Sequence, residues 1–241
     1  MKVLGIECAT PIQSAAVVDG DVVLAEASYH ADGTRSRPLL STIDAVLKKA
    51  GMAPHELELI AVSVGPGSFT GVRVGLATAK GLRLGTGAAL VGVSTLETLA
   101  EGYDVGDCTI CALLDAGRGE VYAAVFHRHG HGLERSTADA VYDFDALLTL
   151  LSVQNQAHVI GNGAFRYRDA LKAAMGDRVM FSEKGLQAVP SAAMVARLGL
   201  AYKGKVTAAA SDPGPVYLRR AEAEVKWEKG PVKSPLHKVI P

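Results

Sequence analysis

The chain has 241 residues, 49% of them hydrophobic, 21% charged and 5% aromatic, with 25 basic and 25 acidic side chains. That length suits one large domain or two small ones. A formal net charge of zero and few aromatics exclude a broad basic nucleic-acid face and a base-stacking platform, leaving room only for local basic patches. No apolar run approaches the roughly 18–20 residues of a membrane span. Glu7 comes too early for a signal peptide, and the cysteine count of 3 gives no even disulfide framework, so a reducing cytoplasm is expected.

Residues 2–8, KVLGIEC, predict a first strand, ATPIQ a turn, and residues 14–19 with VVLAEAS two further strands of a meander. Glu7 closes the first strand. It reads as a solvated strand-end carboxylate in preference to an acid holding a metal-bound water in a nucleotide site. A polar loop, YHADGTRSR, leads to Pro38 and a helix over about 37–50. Its stripe is Leu39, Ile43, Val46, Leu47 and Ala50, with Ser41, Asp44 and Lys48 opposite and Leu40 off the stripe.

Residues 59–75, LIAVSVGPGSFTGVRVG, organise the rest of the chain. An apolar strand runs from Leu59 to Val64, is stopped by Gly65, Pro66 and Gly67, and passes to a helix capped by Ser68 or Thr70. The glycines are spaced GxGxxxG, which is neither a phosphate-binding P-loop nor the dinucleotide fingerprint. The turn is either kept small for packing or is an anion or nucleotide site contacted by Gly65, Gly67, Ser68 and Thr70. The helix over about 70–84 carries Gly71, Gly75 and Ala79 at four-residue spacing. Glycine inside a helix costs about 1 kcal/mol relative to alanine. Close approach of another element, either its own sheet or a partner helix, would offset that cost. Residues 88–93 give another strand, and Ser94 caps TLETLAEGY.

A composition dip at 102–107 divides the chain into residues 1–102, residues 103–220 and a charged, solvated tail over 221–241. The plan then restarts. TICALLDAGRGEVYAAVF is a hairpin turning at 116–119, followed by a helix over 143–151, a strand over 157–161 ending in GNGAF, and a helix over 166–175. A strand near 178–181, a helix capped by Ser191 and reaching Tyr202, and a Pro213–Pro215 loop into VYLRR complete it. Two α/β units that each open strand–turn–strand suggest a duplicated fold of the actin/Hsp70/sugar-kinase (ribonuclease H-like) type.

Sequence signals for chemistry are weak. Cys108 and Cys111 spell CxxC, but on a strand they face opposite ways. His127, His129 and His131 lie in FHRHGHG, read as a hairpin loop in which the rings need not converge, so no metal site is assigned. Ser68 has no histidine near it in sequence. Asp115 and Glu120 flank the hairpin DAGRGE, where a structural role beside Arg118 is preferred to acid–base or magnesium chemistry.

GPGSFTGVRVG, DAGRGEVY, PVYLR and the opening VLGIECATPIQSAAVVDGD together resemble the TsaB (YeaZ) family over about residues 1–220. Gly117 stands where that hairpin motif usually has arginine. TsaB is similar to TsaD, the catalytic subunit of tRNA threonylcarbamoyladenosine synthesis. Where TsaD carries an HxxxH metal motif this chain has LAEGYDVGDC, and at Glu7–Ala9 and Asp115–Gly117 the phosphate-binding turns are lost. The resemblance implies a non-catalytic subunit with no cofactor of its own, acting on tRNA only through its complex. It implies docking of a TsaD-like subunit on the first two helices as a four-helix bundle, recruitment of a TsaE-like ATPase, and ATP–magnesium at the junction. The residues expected at the partner surface are Leu39, Leu40, Ile43, Leu47, Gly71, Arg73, Gly75, Leu76, Ala79 and Lys80. Without its partner the chain is expected to homodimerise through that face. The alternative is an ATP-dependent phosphotransferase of the sugar-kinase type.

Overall fold

The computed structural model describes residues 1–31, 39–130, 132–203 and 212–219. The beginning expected for the first helix, Arg35, Arg37, His131 and the 221–241 tail lie outside them. The first half contains β1 (Lys2–Glu7), β2 (Ile12–Asp19), β3 (Val22–His30), α1 (Leu39–Lys49), β4 (Leu59–Gly65), α2 (Phe69–Thr86), β5 (Ala89–Ser94) and α3 (Thr95–Glu101). The strands form one sheet in the order β3-β2-β1-β4-β5. β1 runs antiparallel to β2 and parallel to β4. Every residue of β4 is buried, and its unbroken apolar run suits a strand covered on both faces.

The second half repeats this plan with β6 (Cys108–Gly117), β7 (Glu120–His129), β8 (Gly132–Arg135), β9 (Ala140–Tyr142), α4 (Phe144–Ser152), β10 (Ala157–Ile160), α5 (Asn162–Met175), β11 (Val179–Met180), the single turn α6 (Glu183–Leu186) and α7 (Ala192–Tyr202). The second sheet is ordered β11-β10-β6-β7-β8, with β9 also paired to β7. Each sheet has two of its own unit's helices on one face. Leu39, Ile43 and Leu47 of α1 and Val72, Leu76 and Ala79 of α2 share a core with Leu4, Ile6, Ile60 and Val62. Leu147 and Leu151 of α4 and Leu171 of α5 share another with Leu113 and Val125.

The remaining helices cross over. α3 closes the first unit but buries Leu96 and Leu99 against Ile110, Ala124 and Phe126 of the second sheet. α7 closes the second unit but buries Val195, Ala196 and Leu198 against Val3, Leu59 and Val91 of the first. The division at residue 103 therefore describes the chain but not the packing, because α7 covers the first sheet. Helical periodicity tells which face of α7 is apolar without telling which sheet receives it.

Two local expectations change. FHRHGH is not all loop: β7 continues through His129 because β8 pairs with residues 126–129 and satisfies their backbone groups. GNGAF does not end the strand with the helix starting only at 166: α5 begins at Asn162, and buried Gly163 and Ala164 let its first turn settle on the sheet. Among the described residues no helix is long and apolar enough to cross a membrane.

Candidate functional site

The turn after β4 packs against the turn after β1. Gly67 adopts φ +154, and a side chain there would stand 2.2 Å from the Ala9 carbonyl oxygen. Ser68 N–H donates to that carbonyl at 2.7 Å, and Ser68 Oγ accepts from Gly71 N–H at 3.2 Å as the helix cap. The Ser68 N–H and Oγ expected to face an anion are thus spent inside the protein. Gly65 is buried beneath the Val216 carbonyl, while Ser68 and Thr70 remain exposed.

The small-residue stripe of α2 faces inward. A Cβ on Gly71 would lie 2.0 Å from the Cys8 carbonyl oxygen, and one on Gly75 would lie 3.2 Å from Cys8 Cβ. Ala79 and Leu76 are buried with them, as are Leu39, Ile43 and Leu47 of α1. These seven residues hold α1 and α2 on their own sheet, so the glycines answer close packing within the chain. Of the ten residues expected at a partner surface, Leu40 is exposed at 59%. Arg73 and Lys80 lie on the flank of α2. The opposite side of the helix presents Val74 (45% exposed), Ala77, Gly81 and Leu84 (89% exposed) at alternating four- and three-residue spacing. In the sequence that second apolar stripe is masked by the four-residue glycine spacing of the first. Its signal was present: an 18-residue helix with apolar residues on two faces.

Residues 212–219 form a strap along the flank of α2. Val216 N–H donates to the Val64 carbonyl at 2.8 Å, and Lys80 Nζ pairs with Asp212 at 2.9 Å. Arg73 Nε donates to Tyr217 Oη at 2.7 Å, its guanidinium lies 3.7 Å from the Phe69 ring centroid, and the Phe69 and Tyr217 rings stand 4.8 Å apart. Arg219 then reaches the second half, donating to the Ala116 carbonyl at 2.6 Å and pairing with Glu120 at 3.5 Å. The PVYLR motif therefore bridges the two halves beside the outward face of α2.

Between the halves lies a cleft of about 360 Å³, lined by Ala9, Thr10, Gly67, Ser68, Asp115 and Asn162 among others. The acid that lines it is occupied. Asp115 pairs with Arg166 at 2.7 Å and accepts from Gly117 N–H at 2.9 Å. Glu7 is not the solvated strand end expected: it is fully buried, Oε1 accepts from Ala9 N–H at 2.6 Å, and Oε2 has no hydrogen-bond partner. Desolvation raises its pKa from 4.5 to about 7. Cys108 and Cys111 are free and lie on opposite faces of β6. Burial pushes the Cys111 thiol up to about 12, so it is no nucleophile. Among the described residues no three His, Cys, Asp or Glu side chains converge as a metal site.

Residues 30–227 match the family model for TsaD, tRNA N6-adenosine threonylcarbamoyltransferase. The tRNA threonylcarbamoyladenosine biosynthesis protein TsaB of Bacillus subtilis (strain 168) is 31% identical over 230 residues, covering 94% of this chain and 98% of that protein. A Pseudomonas aeruginosa crystal structure, described as an uncharacterized protein with similarity to peptidase YEAZ, shares the fold. Its TM-score is 0.74 at 22% identity, over 90% of this chain and 99% of that one. The ROK hexokinase of Thermus thermophilus gives a TM-score of 0.50 at 13% identity, over 86% of this chain and 100% of that one. The crossed pair of α/β units is thus the duplicated fold of the actin-like sugar kinases. By its near full-length match to a TsaB sequence and its match to the TsaD model, the chain belongs to the TsaB (YeaZ) family.

Proposed function

We propose that this chain is a non-catalytic scaffold subunit that binds a TsaD-like catalytic subunit and activates it for threonylcarbamoyl transfer to tRNA. The observation that carries this reading is the outward stripe of α2, where Val74, Ala77, Gly81 and Leu84 are exposed on a well-packed helix. Fully burying one such valine or leucine is worth about 1.5–3 kcal/mol, and Gly81 lets a partner helix approach closely. Leu40 of the neighbouring α1 is exposed as well. Two helices of the partner laid across α1 and α2 would complete a four-helix bundle. A TsaE-like ATPase joins this assembly, ATP–magnesium is held at the junction with the partner, and tRNA meets the chain only through the complex. Alone, the chain self-associates through the same stripe as a homodimer. The free thiols of Cys8, Cys108 and Cys111 suit the cytoplasm.

Size-exclusion chromatography with light scattering tests this on the chain alone and mixed with the TsaD homologue of its host. A heterodimer that Val74→Asp and Leu84→Asp each prevent, while the variants remain folded, is the expected result. A chain that ignores its host's TsaD homologue, or variants that still bind and activate it, would overturn the reading. The phosphotransferase reading has only likeness of fold in its favour, since Asp115 is tied to Arg166 and Glu7 is buried. Tight ATP–magnesium binding by the chain alone, measured by calorimetry, would revive it.

A further inference from the structure

We propose that His127 and His129 form a binding site for a divalent transition metal at the far end of β7 from the cleft. Alternate residues of a strand share a face, and these two rings lie side by side with centroids 6.4 Å apart and planes inclined by 30°. Thr109, the cross-strand partner of His127 on β6, places its hydroxyl 3.1 Å from His127 Nδ1. An Nδ1–H donated to that oxygen leaves Nε2 as the lone-pair nitrogen, the way an outer hydrogen bond orients a metal-ligating imidazole.

The surroundings fit a cation. Glu134 is opposite His127 on β8 and Gly132 is opposite His129, so one neighbour is a carboxylate and the other has no side chain to crowd the rings. Arg128 and Arg135 belong to the other face of the sheet, where Arg135 lies 4.7 Å from the Phe126 ring centroid and Arg128 donates to the Ala100 carbonyl. The set is two imidazoles, with water for the remaining positions, because no three His, Cys, Asp or Glu side chains converge among the described residues. Metal–nitrogen bonds of about 2.0–2.1 Å require the rings to close by roughly 1–2 Å, which the exposed His129 achieves by side-chain rotation. Imidazole donors in an open site favour Cu²⁺ over Ni²⁺ and Zn²⁺.

Titrating the full chain with Cu²⁺ in a non-coordinating buffer tests the assignment, with electron paramagnetic resonance to count nitrogen ligands. One equivalent with two imidazole nitrogens is expected. His127→Asn and His129→Ala should each weaken binding at least about tenfold, and Thr109→Val by about tenfold through loss of orientation. His55→Ala should leave it unchanged. Wild-type affinity in the His127→Asn/His129→Ala double variant, or loss in His131→Ala alone, would overturn the proposal. Association with a TsaD homologue should be unaffected by His129→Ala, so this proposal and the scaffold reading stand or fall separately.

Discussion

Glu7 ends β1 with its carboxylate out of water and one oxygen without a hydrogen-bond partner. Desolvation disfavours the charged form and raises its pKa, while bonds from Ser63 and from the Ala9 and Thr10 backbone oppose the rise without cancelling it. Between pH 4.5 and about 7 the folded chain therefore keeps a proton that the unfolded chain has released. The stabilisation is complete below 4.5, falls as pH rises through the window, and is lost above about 7. That rise in pKa corresponds to at most about 3 kcal/mol. Glu7→Gln, which cannot ionise, should flatten stability across the window and be the more stable protein at pH 8. Denaturant melts of both proteins at pH 5 and pH 8 decide it; parallel losses on raising the pH would assign the dependence to other groups.

At the scale of the element, α2 has two faces that glycine serves differently. Replacing Gly71 by alanine gains about 1 kcal/mol of helix propensity. Yet the new methyl would sit 2.0 Å from the Cys8 carbonyl oxygen, a backbone atom that moves only with β1. Overpacking of that kind costs about 1–3 kcal/mol or more, so Gly71→Ala should destabilise the chain on balance. Gly81 has nothing within 4 Å of the added methyl, and Gly81→Ala should raise stability by up to about 1 kcal/mol. Thermal melts that show both substitutions moving in one direction would refute this assignment of faces. The contrast also marks what was legible in the sequence. The GPGSFTG turn, the Ser68 cap and the burial stripe of α1 follow from local chemistry. Which stripe of α2 meets its own sheet depends on β1 and its turn, which lie some 60 residues away in the chain. For the same reason Glu7 read as solvated: it shares a face of β1 with Val3 and Gly5, and nothing local announces that α7, far along the chain, closes that face.

The whole molecule is held at its waist by polar groups from several elements. Arg135, at the end of β8, pairs with Glu97 of α3 at 2.7 Å and with Asp139 at 2.5 Å. Ser94, at the end of β5, caps α3 and donates to Asp139 at 2.7 Å, and Tyr202 of α7 donates to Glu97. Side-chain exposures of 15% for Glu97 and 13% for Asp139 place both acids largely out of water. An ion pair so placed adds little net stability, but removing one partner leaves uncompensated charge, at a cost of about 3–5 kcal/mol when burial is complete and less here. The crossing helices bring these groups together: α3 carries Glu97 onto the second sheet, and α7 carries Tyr202 back beside it. The network therefore links elements of the two sheets, a connection that no single stretch of sequence displays. Arg135→Ala should lower stability by about 2 kcal/mol and, by loosening that joint, split one calorimetric unfolding transition into two. A variant that melts at lower temperature in a single transition would show that the buried faces of α3 and α7 couple the halves without the ions.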